Sequence, residues 1–270
     1  MMYGGFTYRG KHSFDDYGLI VQTVNRPLLA PQKTVQTDRA GDGQNDYTAA
    51  NIRQRAFFDN KTLTVECKYE TSAGYRNLQA RTARIAAWLS NAGGDYTPLI
   101  FDDMPMVAWS AKPASGIPIE FQWATMGSFR ITFDCEPFNS YIFDSSNIPL
   151  DADIPLDSEF QLGGPIDIGG DITYFNTSAP SLPVIHIKGG GNNLTVSCNG
   201  YTISYNEAWG GEFVIDCTTE TAWLNNNMVE VDGIFFEFAE GDNTLQVTGT
   251  NLAGTVEAVY PFNVYYGEEE

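Results

Sequence analysis

The chain has 270 residues and a mass of 29.8 kDa, close to the ~250–300 residues at which one hydrophobic core stops growing, so two domains are expected. With 43 % hydrophobic, 13 % aromatic and 18 % charged residues, it has the material for a sizeable core, which argues against disorder, collagen-like repeats and a coiled coil. The formal charge of −19 is unevenly placed: residues 1–140 carry 14 basic and 14 acidic side chains, whereas residues 141–270 carry one basic residue, Lys188, against 20 acidic ones.

A polyanionic half repels phosphate backbones, which argues against nucleic-acid recognition by that half and makes anionic wall polymers and membrane surfaces poor partners. The same acidity suits a multi-copy assembly that must stay soluble. No apolar run approaches the roughly 18 residues of a membrane span. The start, MMYGGFTYRGKHSF, has neither a charged n-region nor an apolar h-region, so a protein made in, and soluble in, a cytosol is expected.

In chain order, YGLIVQTVNRP is β-branched and ends at a proline, which predicts a strand. QTDRAGDGQNDYTAAN is polar, and its Gly41-Asp42-Gly43 accepts positive φ, so a hairpin tip or protruding loop is expected there. It is no phosphate cradle, because no Lys-Ser/Thr follows. KTLTVECKYE follows the turn signal Asp59-Asn60 and puts Leu63, Val65, Cys67 and Tyr69 on one face of a half-buried strand.

From Tyr75 to Ala92 the period becomes helical. Leu78, Thr82, Ile85, Ala86 and Leu89 form one stripe, with Thr71 or Ser72 as the cap and Gly93-Gly94 as the stop. Arg76, Arg81 and Arg84 lie off the stripe and read as a solvated or inter-subunit face. TPLIFDDMPMVAWSAKP then reads as strand, turn at Asp103-Met104-Pro105, strand. PIEFQWATMGSFRITFDCEPF reads as a hairpin turning at Met126-Gly127-Ser128, with Phe129, Ile131, Phe133 and Cys135 inward. The first domain is therefore drawn over residues 1–138.

Residues 139–171, rich in Asp, Pro, Gly and Ser, read as a linker with short strand segments. Residues 172–270 show no helical stripe. Their short apolar runs, among them LPVIHIKGGG, NNLTVSCNG, YTISYNEAW, NTLQVTGTN and VEAVYPFNVYYG, predict an antiparallel β-sandwich of roughly 100 residues.

Little in the sequence supports chemistry. Cys67, Cys135, Cys198 and Cys217 each alternate with apolar residues and read as reduced core thiols, and His12 and His186 are the sole histidines, so neither a zinc site nor a catalytic triad is expected. A glycosidase needs only two carboxylates, for which Asp102 with Asp103, or Asp216 with Glu220, are available. The first pair is better explained as a turn and Asp216 as an outward strand residue. Asp151, Asp153, Asp157 and Glu159 are oxygen donors suited to calcium but lack EF-hand spacing, and read as solvated linker acids. Tyr201, Tyr205, Trp209 and Trp223 are candidates for an aromatic platform under sugar rings, with a core role as the alternative. The sequons at Asn176 and Asn193 mean little without a secretion signal. No enzyme activity and no cofactor are expected.

A likeness then emerges from the order of the segments. GFTYRGKHSFDDYGLIVQTVNRPLLAPQK, the Gly41-Asp42-Gly43 loop, ARIAAWL, LIFDDMPMVAWSAKP, RITFDCEPF, PSLPVIHIKG, VSCNGYTI, FVIDCTTETAWLNN and FFEFAEGDNTLQVTG resemble, in sequence, the distal tail (Dit) proteins of long-tailed, non-contractile phages. Ala40, where a basic residue is expected, and Ala239-Glu240-Gly241, where Pro-Gly is common, depart from that pattern. The resemblance implies a mainly β fold of two domains. The first is an antiparallel β-sandwich or split-barrel-like domain with one α-helix, and the second a galectin-like β-sandwich.

It further implies a structural, non-enzymatic tail-tip hub: a homo-hexameric ring at the distal end of the tail tube, in the virion. The tape measure protein and then double-stranded DNA would pass through it without specific binding. Its partners would be the tail-tube protein, the tail-tip hub or tail-associated lysin protein, the tape measure protein and a receptor-binding protein, with no membrane. The loop at Gly41, Asp42 and Gly43 and the face of Arg76, Arg81 and Arg84 are the candidate inter-subunit surfaces. The alternatives are a carbohydrate-binding host-adhesion module and a tail-tube subunit.

Overall fold

A computed structural model describes residues 4–34, 36–38, 44–49, 56–70, 75–90, 94–114, 119–123, 126–146, 164–176 and 179–266. The chain divides into two compact units, Met1–Asn139 with Tyr265–Glu270, and Ser140–Val264. Both are antiparallel and mainly β, as the sequence implies, and the one helix among the described residues lies in the first.

In the first unit, β1 (Phe6–Tyr8), β2 (Lys11–His12), β3 (Ile20–Asn25), β4 (Gln36–Asp38), β5 (Gln44–Asp46) and β6 (Lys61–Glu70) precede helix α1 (Tyr75–Ser90). Strands β7 (Thr97–Phe101), β8 (Met104–Pro113), β9 (Ile119–Trp123) and β10 (Met126–Cys135) follow it. The sheet runs β2-β1-β7-β8-β10-β6-β3, with β9 paired to β10 and β4–β5 forming a separate ribbon. Strand β6 covers the ten residues its alternation predicts and pairs with β10 from Cys135↔Lys61 to Met126↔Glu70. Leu63, Val65, Cys67 and Tyr69 enter the core on one face.

Two turns differ from the sequence reading. The β7–β8 turn is Asp102-Asp103, since Phe101 already pairs with Met104. Met126-Gly127-Ser128 is not a turn but the start of β10, opposite Glu70, Tyr69 and Lys68. Gly127 makes room for a neighbour here, because a Cβ on it would lie 2.9 Å from the Tyr69 ring.

Helix α1 buries Ile85, Trp88 and Leu89 while leaving Ala86 exposed; the expected end at Ala92 lies outside the described residues. Three residues on from Ile85, Trp88 faces the same side, whereas Ala86 is turned about 100° away. Trp88 stacks on Phe6 at 5.8 Å and donates its indole N–H to the Tyr8 carbonyl at 3.1 Å. At ~25 cal/mol per Å², burying the ~150–250 Å² of such a ring contributes about 4–6 kcal/mol before the entropy of ordering it. The expected cap at Thr71 or Ser72 lies outside the described residues.

The second unit contains β11 (Asn139–Asp144), β12 (Ile166–Asp167), β13 (Asp171–Asn176), β14 (Val184–Cys198), β15 (Tyr201–Asp216) and β16 (Thr221–Leu224). It continues with β17 (Asn227–Val229), β18 (Asp232–Gly233), β19 (Gly241–Val259) and β20 (Pro261–Val264). Its sheet order is β12-β19-β14-β15-β16-β17, with β13 on β19 and β18 on β15. The expected short strands are fused, for β14, β15 and β19 run 15, 16 and 19 residues.

They are long because they are bent. The Tyr205 and Phe213 rings, eight residues apart in β15, lie 5.2 Å apart, whereas a straight strand would separate them by about 26 Å. The bend follows a glycine seam across three strands, with Gly189 opposite Gly211 and Gly254, and Gly190 opposite Gly210. Gly189, Gly211 and Gly254 have φ of 152°, 106° and 145°, a region L side chains rarely adopt. Glycines commonly mark turns between strands, but these are hinges within them. The inward residues of the bent strands, including Ile185, Ile187, Val196, Ile203, Phe213, Leu245 and Val256, make the sandwich core.

Candidate functional site

Each unit presents polar clusters and exposed surfaces as candidate sites. In the first unit the two turn carboxylates are bonded to separate partners. Asp102 accepts from the Gly5 amide and from His12 Nε2 at 3.1 Å, while Asp103 accepts both arms of the Arg26 guanidinium at 2.9 and 2.7 Å. Arg26 is buried under this clamp, its guanidinium 4.2 Å from the Phe101 ring centroid and 5.4 Å from that of Trp109. The pair acts as a structural latch on the β7–β8 turn, not as a carboxylate dyad.

The latch also fixes one end of the segment Arg26–Pro31. The other end is tied by the amides of Asp59 and Lys33, which donate to the carbonyls of Pro31 and Phe57, both at 2.8 Å. Between these ties and two prolines, Leu28 and Leu29 stand 65 % and 57 % exposed. Adjacent exposed leucines on a braced backbone are the apolar, preorganised feature that association surfaces use. In sequence they carry no signal of this, because an apolar pair beside a proline looks like the end of a strand.

Beyond this segment, β4 and β5 pair Gln36↔Asp46, Thr37↔Asn45 and Asp38↔Gln44, a hairpin whose connection carries Gly41-Asp42-Gly43. Those three residues lie outside the described ones, as does the side chain of Arg76. Arg84 is exposed, with its guanidinium 5.9 Å from the Tyr17 ring centroid. Arg81 is half-buried, 3.3 Å from where a Cβ on Gly18 would stand.

The second unit disperses the four aromatics of the sugar-platform reading. Trp209 is buried at 6 % exposure and meets Phe213 edge-on at 5.9 Å, with Tyr205 on the same ring. Trp223 pairs with Val214, so it lies on the opposite face of the sheet, and its indole N–H donates to Thr221 at 3.0 Å. Tyr201 is half-buried near the start of β15. Two of the four, Tyr205 and Trp209, are brought together, and they surround a core ring.

Asp216 accepts from the amides of Thr218 and Thr219 at 2.8 and 3.2 Å and from the Thr219 hydroxyl at 2.8 Å. Burial pushes its carboxyl up, but these bonds outweigh it and hold the group below its ordinary value. It serves as a turn cap. Asp151, Asp153, Asp157 and Glu159 lie outside the described residues. Among the described residues no group of three or more His, Cys, Asp or Glu is placed to hold a metal, and no helix is long and apolar enough to cross a membrane. All four cysteines are buried thiols outside any disulfide, and burial pushes those of Cys67, Cys135 and Cys198 up to about 12.

The arrangement thus defines a class: two antiparallel β units, one carrying a single helix and a braced apolar projection, the other a bent-strand sandwich, with carboxylates committed to turns and latches. No protein-family model matches the sequence, and no curated protein matches it. Among solved structures the chain is similar to the Dit protein of phage SPP1, described as a paradigm of the hub adsorption apparatus in phages infecting Gram-positive bacteria. The likeness covers 96 % of this chain and 98 % of that one, at 13 % identity and a TM-score of 0.68. The chain thus shares the fold of that Dit protein over nearly all of its length.

Proposed function

We propose that this protein is a structural, non-enzymatic hub of a phage tail tip, and that copies of it form a six-membered ring joining the tail tube to the adsorption apparatus. The observation that carries this reading is the full-length correspondence in fold with a phage adsorption hub, both units included. A ring of identical subunits needs a heterologous interface, one patch meeting a different patch on the next copy. Leu28 and Leu29 supply an apolar knob for it, and the β4–β5 ribbon, too small to be stable alone in water, gains from lying on a neighbour. The neutral balance of residues 1–140 lets copies pack without accumulating like charge.

On this reading the tail-tube, tape measure and tip proteins are the partners of the ring, the tail tip of the virion is its location, and DNA passes through without specific binding. A receptor-binding component would attach on the sandwich side. The test is the mass of the purified chain by light scattering coupled to size exclusion, with negative-stain images of the same peak. Six copies of the 29.8 kDa chain give about 179 kDa and an open ring. The paired variant Leu28→Asp with Leu29→Asp is expected to run as a monomer with an unchanged melting temperature. A wild-type chain that stays monomeric both alone and with its tail-tube protein refutes the reading.

A further inference from the structure

The hairpin at the end of the second unit's sheet turns apolar side chains away from the core. Strands β16 and β17 join through Asn225 and Asn226, at φ 50° and 66°, the two-residue turn that matches the twist of paired strands. Asn225 also ties the hairpin to β15, its Oδ1 accepting the Glu212 amide at 2.9 Å and its Nδ2 donating to the Gly210 carbonyl at 2.8 Å. The hairpin is thereby locked in place, with β17 as the last strand of the sheet.

Across this edge the register sets Val214 beside Trp223 and Trp223 beside Met228. The row lies on the face opposite the core residues Phe213, Ile215 and Ala222. Val214 and Trp223 are half-buried, and Met228 is 61 % exposed. A relay of hydrogen bonds pins the indole. Its N–H donates to the Thr221 hydroxyl at 3.0 Å, that hydroxyl meets the Thr219 hydroxyl at 2.7 Å, and Thr219 donates to Asp216 at 2.8 Å. With its polar atom satisfied, the held ring offers apolar surface at little cost in entropy.

The rim of the row is acidic. Asp216 ends the relay, and exposed Glu230 follows two residues after Met228, on the same side by alternation. Lys188, the one basic residue of 141–270, does not offset them, because it stands 3.7 Å from Glu212. A second copy laid on this row by a two-fold axis would bring Asp216 and Glu230 of both copies together. Like charge opposes that contact, in a half with one basic side chain against 20 acidic ones. It opposes phosphate backbones and anionic membranes in the same way.

We propose that the Val214–Trp223–Met228 row docks a lysine- or arginine-rich segment of a different protein, which lays apolar side chains on the indole and sets cations beside Glu230 and Asp216. This gives the sandwich-side attachment of the hub reading a place and a chemistry, and rests on that reading only for the partner's being a tail protein. A cation over the indole face adds to the same contact.

The probe is a short, capped, labelled peptide of alternating lysine and leucine, titrated with the full-length protein by fluorescence anisotropy, with light scattering on the same samples. Wild type should bind it, more weakly as salt rises. A lysine–serine peptide of equal charge should bind at least ~10-fold more weakly, and a glutamate–leucine peptide should not bind. Met228→Gln and Glu230→Lys should each weaken binding by ~5–10-fold. Glu240→Lys, an equal charge change in the exposed turn before β19, should stay within ~2-fold of wild type. All three residues are exposed, so the variants should melt within about 2 °C of wild type.

The proposal is overturned by a lysine–leucine peptide that fails to bind wild type, or that binds Met228→Gln or Glu230→Lys as tightly. Equal weakening by Glu240→Lys also overturns it, since the attraction is then to acidic surface in general. So does a loss of assembled mass in Met228→Gln, which would make the row a contact between copies of this chain. The mass of wild type, ring or monomer, bears on the hub reading alone.

Discussion

Asn243 offers a sharp test of how the sandwich is held. Its side chain is fully buried, and Oδ1 accepts from Asn199 Nδ2 and from the Ala239 amide, both at 2.7 Å. Nδ2 donates to the carbonyls of Ala239 at 2.9 Å and Gly241 at 2.8 Å, closing the turn that leads into β19. Asn243→Ala removes four good hydrogen bonds and leaves buried groups without partners. At roughly 1 kcal/mol for each bond, with more for a stranded buried group, the cost is about 3–5 kcal/mol, a fifth or more of a domain's ~5–15 kcal/mol. Asn243→Asp has nearly the same shape and keeps one acceptor, but it turns a carboxylate oxygen toward two carbonyls. It should therefore cost at least as much as alanine. Urea unfolding followed by tryptophan fluorescence reads both variants. Losses below ~1 kcal/mol, or an aspartate variant markedly more stable than the alanine one, would refute the claim that donation into the turn matters more than filling the space.

Three further outcomes are expected. Lys61, 2 % exposed, reaches only the Tyr265 carbonyl at 3.4 Å among the described residues, and burial pulls its ammonium down from 10.5 to about 8. The folded chain therefore binds that proton less well than the unfolded one, so a penalty of up to ~3 kcal/mol is full below pH 8 and fades as pH rises toward 10.5. Lys61→Met should gain stability at pH 7 by ~1–3 kcal/mol and lose the advantage by pH 10.5; a variant less stable than wild type at pH 7 contradicts this. The raised thiols of Cys67, Cys135 and Cys198 act with the opposite sign, giving stability that is complete below pH 9 and lost as pH climbs toward 12. A thiol reagent at pH 8 should label the native chain at none of its four cysteines and the denatured chain at all four, and rapid native labelling would count against their burial. Gly254→Ala would place a Cβ 2.0 Å from the Lys188 carbonyl oxygen at φ 145° and should cost ~3 kcal/mol or more, whereas Gly200→Ala, with open space around it, should cost only ~1 kcal/mol. Thermal melts of the two separate a hinge glycine from a turn glycine.

Sequence pattern gave its best account where one physical rule acted alone. In β6 and β10 the period-two alternation of apolar residues sets both strand and inward face, and the ladder follows it residue by residue. It failed where two rules competed. Gly127 and the Gly189–Gly191 run look like turns because glycine permits turns, yet they serve close packing and strand bending, which depend on neighbours far away in sequence. Ala86 fitted the helical stripe by hydrophobicity, but the larger Trp88, one turn from Ile85, took the buried place. The candidate site was less legible still. The Arg26–Asp103 latch joins residues 77 apart, and the exposure of Leu28 and Leu29 is a property of the folded surface that no local pattern records. The aromatics of the second unit illustrate the same limit, since Trp223 falls on the opposite face to Trp209 through strand pairing.

The return of the chain to the first unit bears on how the two units stay joined. Tyr265 and Tyr266 are held there by Lys61, by Asn139 and by rings of Phe58 and Phe138, each centred 5.4–6.2 Å from that of Tyr265. The sandwich is therefore an insertion spliced into its neighbour, with an outgoing crossing after Asn139 and an incoming one after Val264. A protease that cuts one exposed turn of the sandwich leaves both fragments tethered to the first unit. Tension applied to the sandwich is divided between two covalent strands, so the sandwich is lost only when both are severed.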